Sequence, residues 1–332
     1  MRAVVCDAYG PFENLTVKSL PDPVPGPGEV AIDVKAAGVS FAQSLTVAGK
    51  YQVKPDLPFV PGVEIGGVIS AVGDGVSGLE AGARVFAAIT YGGFAERALA
   101  RAVYCRTLPD GMDFAQGTLM VTSYPTAYAA LLWKAGLVAG ETVLVHGASG
   151  AVGLAAVEIA KAKGAEVIAT AGTDEKCAVA REHGADLAIN YSEGDFLAPV
   201  KERTGGRGVD VVIDPVGGEV LARSLRAMGR EARLVTVGYA SGDIPAPPVN
   251  LLLVKNMSII GLNFGTYMGW SPGDDGGAYL GRLGALHTDL ARMFADGCLR
   301  PVVSHRFALD DFNPAMQTVL GRQSVGKVVL EP

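Results

Sequence analysis

The sequence predicts an α/β protein in two parts, a mostly β part and a doubly wound parallel sheet. Three observations carry that prediction. Short strands bounded by glycine and proline dominate the chain up to about Ala100; from Thr142 apolar strands alternate with helices; and a glycine-rich turn stands at the head of that alternation. With 332 residues, 49% of them hydrophobic, the chain can fill two cores, at roughly 150 residues per domain.

In the first part AVVCDAY, LTVKSL and EVAIDVKAAGV read as strands. The intervening PDPVPGPGE excludes a regular element. VEIGGVISAVG, ARVFAAI and FAERALA follow, and together they predict a barrel-like set of irregular antiparallel strands. From Thr142 the order is TVLVHG, AVGLAAVEIAKAKG, EVIATAG, DEKCAVAREHG, LAINY, VDVVIDPV, EVLARSLRAMG, ARLVTVG and NMSIIGLNF. The strands in this series are short continuous apolar runs, which must be covered on both faces, and they number about six, as in a dinucleotide-binding sheet. After Phe264 come a glycine-rich loop, a helix around Leu286 to Asp296 and a strand-like KVVLEP, a tail expected to return to the first part. The run PVNLLLVKNMSIIGLNF is either a sheet edge that pairs across a two-fold axis or internal core.

The net charge of −6, with Lys and Arg dispersed, leaves no footprint for a phosphate backbone and argues against a nucleic-acid partner. The start, MRAVVCDAYG, has neither the basic nor the long apolar region of a secretory signal, and no run is long enough to span a bilayer, so the cytoplasm is expected. Cys6, Cys105, Cys177 and Cys298 show no CxxC spacing and read as small hydrophobes. His146, His183, His287 and His305 are equally scattered, so the sequence gives no support to a metal site.

The strand Thr142 to His146 runs into Gly147, Ala148, Ser149, Gly150, Ala151, Val152 and Gly153, after which an amphipathic helix starts. Gly150 lets the backbone approach a pyrophosphate and Gly153 lets the helix pack closely. The helix N-terminus offers free N–H groups and positive dipole to the anion. Ala148 stands where the strict fingerprint has its first glycine, but the flanking strand and helix supply the context the motif requires. A pyridine dinucleotide on a Rossmann sheet is the expectation. The second strand ends in Ala171, Gly172 and Thr173 rather than in the carboxylate that would accept from a ribose 2′-hydroxyl, and Lys176 follows. NADPH is therefore favoured over NADH; Asp174 and Glu175 count against it, and Lys176 is otherwise a solvated helix residue.

The whole chain resembles the medium-chain dehydrogenase/reductase superfamily, and within it the zinc-free NADPH:quinone oxidoreductase branch. The resemblance is carried by GPGEVAIDVKAAGVSFAQSLTVAGKY, LPFVPGVEIGGVISAVG, SYPTAYAALL, HGASGAVG, INY and the closing GKVVL. It implies a GroES-like, mostly β catalytic domain from residues 1–122 and 266–332 and a Rossmann domain from 123–265. Where zinc-dependent relatives carry cysteine, histidine and cysteine, this chain has Ser40, Val63 and Thr122. Only Cys105 stands in the region of the structural zinc lobe, so no metal is expected.

Without zinc to polarise a carbonyl, acceptors that take hydride readily remain: a quinone first, with an enone, enal or enoyl thioester as the alternative. A reading of another class is a crystallin-like or sensing protein that binds NADPH without turnover. The resemblance places Ser40 and Tyr51 beside the nicotinamide, although many quinone reductases of the branch have asparagine where Ser40 stands. It also assigns Thr126 to the carboxamide, Lys176 and Tyr191 to the 2′-phosphate, and Val216, Gly238 and Arg322 to the cofactor cleft. Thr126 is otherwise a helix cap and Arg322 a surface charge. The segment Gly265 to Tyr279, with Tyr267, Met268 and Trp270, reads either as a mobile apolar lid or as an ordinary loop with aromatic anchors. A homodimer is implied by the same resemblance.

Overall fold

The computed structural model describes residues 1–270 and 276–332. Strands form between the glycine and proline punctuation of the first stretch: β1 (Arg2–Val5), β2 (Thr16–Ser19), β3 (Glu29–Val39), β4 (Glu64–Val72), β5 (Arg84–Ala88), β6 (Arg97–Arg101) and β7 (Cys105–Thr107). Two short helices not foreseen from sequence interrupt them, α1 (Phe41–Val47) and α2 (Phe114–Leu119). Then come α3 (Ser123–Tyr128), continued by a π-helical turn over Ala129–Lys134, and β8 (Thr142–Val145), α4 (Ala151–Ala162), β9 (Glu166–Ala171), α5 (Asp174–Glu182) and β10 (Leu187–Asn190). The series goes on through α6 (Leu197–Arg203), β11 (Val209–Asp214), α7 (Gly218–Ala227), β12 (Met228–Thr236), α8 (Asn250–Lys255) and β13 (Ser258–Gly261). The chain ends with α9 (Leu280–Ala295), β14 (Val303–Ala308), α10 (Phe312–Leu320) and β15 (Lys327–Glu331). Two compact units result: residues Met1–Thr122, Gly265–Ala291 and Pro301–Pro332 form one, and Ser123–Phe264 with Arg292–Arg300 form the other.

In the first unit β1 and β2 pair antiparallel, and a seven-stranded sheet runs β14-β15-β3-β4-β5-β7, with β6 also paired to β3. Its core gathers Val4, Ile32, Ile65, Val85, Phe94, Met316 and Val328. The strands of the first stretch pair antiparallel, as expected, while β14 and β15 of the closing segment lie parallel. Two parallel neighbours need a crossover, and α10 supplies it. Through β15 the C-terminal strand pairs with β3, Val328 opposite Val39 and Val329 opposite Gly38.

The second unit is a six-stranded parallel sheet in the order β10-β9-β8-β11-β12-β13. All four residues of β8 are buried, as a strand covered on both faces requires. The order reverses between β8 and β11, which opens the crevice where such sheets bind ligands, beyond the carboxyl ends of the strands. The run PVNLLLVKNMSIIGLNF is not one strand: Asn250–Lys255 is helical and stops at Asn256 in the left-handed conformation (φ 53°). That leaves β13 as the sheet edge. A left-handed asparagine is a common helix stop.

Of the expected lid, Ser271 to Asp275 lie outside the described residues. Tyr267 and Met268 are buried, and Tyr267 meets Tyr279 edge to face at 5.0 Å, so the apolar side chains here are anchors rather than a solvent-facing flap. α9 starts at Leu280, ahead of the expected Leu286.

Two buried polar clusters hold the second unit. Glu158, in the middle of α4, accepts from the Tyr124 hydroxyl and from His183 Nδ1, both at 2.6 Å, and from the Arg300 N–H at 3.1 Å. Burial and the adjacent carboxylate raise the Tyr124 pKa well above its ordinary value, so the phenol stays a donor. His146 bridges Thr170 on β9 (Nδ1 to Oγ1, 2.9 Å) and Ser224 on α7 (Nε2 to Oγ, 2.8 Å). Burial pushes its pKa down to about 3, so the ring is neutral and structural rather than catalytic. His287 in the first unit is also lowered to about 3, by burial and then by Arg106. Both rings take up protons near pH 6.5 only when the chain unfolds, so stability is full above that value. It falls as pH drops from 6.5 toward 3, by about 1.4 kcal/mol per histidine per pH unit. Urea unfolding at pH 7 and pH 5 should show a loss of about 4 kcal/mol from the two together. In His146→Gln the protein should start less stable at pH 7 and show about half that pH dependence; an undiminished dependence would remove His146 from this account.

Candidate active site

The turn after β8 is shaped by close approach. A Cβ on Gly153 would lie 2.7 Å from Ala148 Cα and closer still to the Gly147 carbonyl oxygen, so only glycine lets α4 begin where it does. Gly150 is different. It is the N-cap of α4 in extended backbone (φ −78°, ψ 168°), and a Cβ there would come no nearer than 3.4 Å to the rest of the chain. The protein alone does not require glycine at that point, whereas a pyrophosphate brought against the helix start does. The first turn of α4 carries no acidic residue, so its N–H groups and dipole are uncompensated by side-chain charge. Ser149 is buried, and Ala151 and Val152 form the first turn.

The loops after β8, β11 and β12 meet at this end of the sheet. The Gly147 Cα faces Val216, whose Cγ2 would be 3.7 Å from a Cβ there, and Gly238 lies against Pro215. Asp214, at the end of β11, was not singled out from sequence. One carboxylate oxygen accepts from the Val216 and Gly217 N–H groups at 2.8 and 3.0 Å and fixes that loop. The other, with the Thr236 hydroxyl on the residue paired to it in β12, is buried without a hydrogen-bond partner among the described residues. Burial raises the Asp214 pKa despite the two N–H donors. Orphaned polar atoms beside the switch point fit a sheet that takes a polar ligand there. The available signal was the strand-end sequence IDPVGG.

At the end of β9 the Tyr191 ring lies across Gly172; a Cβ at Gly172 would sit 2.8 Å from its hydroxyl oxygen. Thr173 caps α5, accepting from the Lys176 N–H at 3.3 Å, and Ser192 Oγ donates to Gly172 O at 2.8 Å. Gly172, Thr173, Lys176 and Tyr191 are thus brought together. Of the two carboxylates that counted against NADPH, Asp174 accepts from Asn190 Nδ2 at 3.1 Å, and Glu175, on the exposed first turn, has its pKa lowered by its own backbone N–H and by Thr173. Thr126 is the fourth residue of α3, inside the helix rather than at its cap. The turn, the helix N-terminus with no acidic residue in its first turn, and the Tyr191 ring over Gly172 fit a dinucleotide.

Ser40, Tyr51 and Arg322 belong to the first unit. Ser40 is the N-cap of α1 and shares a capping box with Gln43, whose Oε1 accepts the Ser40 N–H at 2.8 Å. Tyr51 follows α1, its N–H bonded to Leu45 O at 3.1 Å. Burial raises its pKa, so the phenol is protonated, and its hydroxyl makes no hydrogen bond among the described residues. Arg322 is exposed, in the left-handed turn (φ 55°) that closes α10.

Where metal-dependent relatives of the resemblance place ligands, other contacts are made. Thr122 Oγ1 donates to Glu64, the residue after Val63, and Lys327 of the closing GKVVL forms a buried ion pair with the same carboxylate. Gly38 makes the room: a Cβ there would lie 2.6 Å from Lys327 Cε and closer still to the Glu64 carboxylate. Cys105 is buried, which pushes its thiol up to about 12 and keeps it protonated. Among the described residues no group of three or more His, Cys, Asp or Glu is placed to hold a metal ion.

A parallel sheet with a glycine-rich turn at its switch point and a mostly β unit built from both chain ends define the medium-chain dehydrogenase/reductase class. Residues 26–116 match the alcohol dehydrogenase GroES-like domain family, and residues 151–274 match the family described as zinc-binding dehydrogenase. Quinone oxidoreductase-like protein 2 of Rattus norvegicus is 38% identical over 99% of this chain and 91% of its own. Quinone oxidoreductase of Homo sapiens is 35% identical over 99% and 97%. The structure of Escherichia coli quinone oxidoreductase complexed with NADPH superposes with a TM-score of 0.90 at 29% identity, over 100% of both chains. The chain belongs to the quinone oxidoreductase family of oxidoreductases within that superfamily.

Gly153→Ala tests the cradle. The added methyl should cost about 1–3 kcal/mol of stability and, by pushing α4 from the turn, should weaken NADPH binding by roughly tenfold. A fluorescence titration that returns the wild-type Kd would show that this turn does not hold the dinucleotide.

Proposed function

We propose that the protein is an NADPH-dependent, zinc-independent reductase of quinones. The observation that carries this reading is the Tyr51 phenol: protonated, half-buried and without a hydrogen-bond partner among the described residues, on a unit whose metal-ligand positions hold Ser40, Val63 and Thr122. Glu64, the nearby group that would otherwise favour a cation, is already neutralised by Lys327. Acceptor activation then falls to hydrogen-bond donors, which suffices for a quinone because charge arriving on the ring is spread onto an oxygen.

In this reading Gly150 and the N–H groups of Ala151 to Gly153 hold the pyrophosphate, while Lys176 and Tyr191 receive the 2′-phosphate beside Gly172 and Thr173. Thr126, Gly147, Ser149, Val216, Gly238 and Arg322 complete the cofactor contacts. NADPH held there would supply the hydride. The Tyr51 hydroxyl donates to one quinone oxygen and stabilises the negative charge that develops on it, with Ser40 as a second, shorter donor. A proton taken up at that oxygen balances the hydride and yields the hydroquinone. NADPH is preferred because the end of β9 offers no carboxylate to a ribose hydroxyl. The NADPH complex of the Escherichia coli relative supports the same choice.

Two copies of the chain are proposed to associate through β13. It is a sheet edge without a further strand partner among the described residues, and Ile244, Val249, Leu253 and Val254 around α8 are between 66% and 82% exposed, apolar surface that a second copy would cover. Leu253→Asp with Val254→Asp should convert a dimer to monomer in sedimentation velocity; a wild type already monomeric at micromolar concentration would sink the proposal.

The function itself is tested by NADPH oxidation with quinones, enals and enoyl thioesters, and by comparing Kd for NADPH and NADH. Quinones should turn over fastest, NADPH should bind at least about tenfold more tightly than NADH, and chelators should change nothing. Tyr51→Phe should lower kcat/KM for quinones by about tenfold or more with NADPH affinity retained. Faster turnover of enals, or a preference for NADH, would overturn the corresponding assignment.

A further inference from the structure

We infer that Tyr9 is a positioning residue for Tyr51, clasping both ends of the loop that carries it; the inference rests on the reading of Tyr51 given above. The loop leaves α1 through a turn in which the Gly49 N–H bonds Thr46 O, and the Lys50 and Tyr51 N–H groups both bond Leu45 O, at 2.8 and 3.1 Å. Gly49 sits at φ 65°, and the Tyr9 ring lies against it: a Cβ there would meet Tyr9 Cγ at 3.0 Å and Cδ1 at 3.3 Å. Beyond Tyr51 the chain is poorly held. Among the described residues, the backbone of Gln52, Val53 and Lys54 makes no hydrogen bond. The next fixed point is Pro55, whose carbonyl oxygen accepts from the Tyr9 hydroxyl.

Tyr9 itself is anchored independently of this loop. The Gly10 N–H bonds Val47 O at 3.0 Å, Cys6 and Phe59 exchange both backbone hydrogen bonds, and the Tyr9 ring packs at 6.4 Å from Phe59. One side chain thus touches the loop where it starts and holds it where it ends, with Tyr51 between. Among the described residues the Tyr51 phenol has no hydrogen bond of its own to fix it, so its direction is set by the backbone beneath it. Removing the Tyr9 hydroxyl frees the far end of that backbone while leaving the ring on Gly49. Productive placement of a donor demands positioning to a fraction of an ångström, so such a change is felt in turnover.

The test uses the full-length protein with Tyr9→Phe, Tyr51→Phe and the double variant, and has two independent readouts. The first needs no cofactor: trypsin cleavage after the exposed Lys50, at a protease level where Tm is unaffected. Tyr9→Phe should raise that rate by about fivefold or more, by opening the loop locally. The second is NADPH oxidation with 1,4-benzoquinone. Tyr9→Phe should lower kcat/KM by about tenfold with NADPH affinity unchanged, and should lower it by less than about twofold in the Tyr51→Phe background. An unchanged cleavage rate, or an equal loss in both backgrounds, overturns the inference. If Tyr51→Phe alone matches wild type, the reading of Tyr51 fails, and the positioning role falls with it. If Tyr51→Phe is impaired but Tyr9→Phe is not, only the inference drawn here is lost.

Discussion

The contact between Gly153 and the turn after β8 is the constraint on which the second unit depends. Because no side chain intervenes, α4 starts directly on the Gly147 carbonyl, and its unpaired N–H groups open at the carboxyl end of the central strand. The switch in strand order between β8 and β11 places the Asp214 loop beside them, and β9 and β10 bring Gly172 and Tyr191 to the same end. The sheet supplies a rigid floor, and three loops supply the chemistry. Glu158, one face further along the same helix, secures α4 from behind by gathering Tyr124, His183 and the Arg300 backbone. The helix whose N-terminus opens at the switch point is thus tethered from behind through Glu158. That is the arrangement expected where backbone groups must hold position without the help of side-chain adjustment.

In the first unit the comparable role falls to the Glu64–Lys327 pair beneath Gly38. A buried ion pair is an uncertain source of net stability, since desolvating both charges offsets most of their attraction. Its effect is specificity. It joins β4 to β15 at one register, with the Thr122 hydroxyl as a further donor, and it balances the carboxylate's charge within the protein. The resemblance had located the missing metal ligands at Ser40, Val63 and Thr122. The structure adds that the neighbouring carboxylate is committed elsewhere, which residue identities alone did not reveal.

Much of the second unit was legible because its signals are local. Strand runs, the turn from Gly147 to Gly153 and the absence of a carboxylate after Ala171 are all contiguous in sequence. Losses came where structure depends on partners far away. α1 and α2 are short, and their ends are defined by the capping boxes at Ser40 and Asp113 more than by periodicity. The parallel placement of β14 and β15 depends on α10, which the sequence reading left as tail. α8 was hidden in an apolar run in which Leu251 and Leu252 pack on the core while Leu253 and Val254 face outward, so composition suggested a strand where the cap at Asn256 fixes a helix. At the site, Tyr51 and Ser40 came from the resemblance, while Asp214, Glu64 and Tyr9 were missed. Glu64 and Tyr9 act through groups distant in the chain and leave no spacing pattern, whereas Asp214 acts on the adjacent Val216 and Gly217 N–H groups within the contiguous IDPVGG.

The pairing of chain ends has a consequence for biosynthesis. Glu64 and Lys327 are separated by 263 positions, and β15 covers an edge of β3 that emerges from the ribosome near the start of translation. Until the last strand is made, the nascent first unit carries an uncovered sheet edge and a carboxylate without its counter-ion. The second unit likewise waits for the stretch around Arg300 to close over Glu158. Neither half matures before nearly the whole polypeptide is out, so the order of synthesis is not the order of completion. Sheltering that edge during elongation becomes a requirement of making this protein at all.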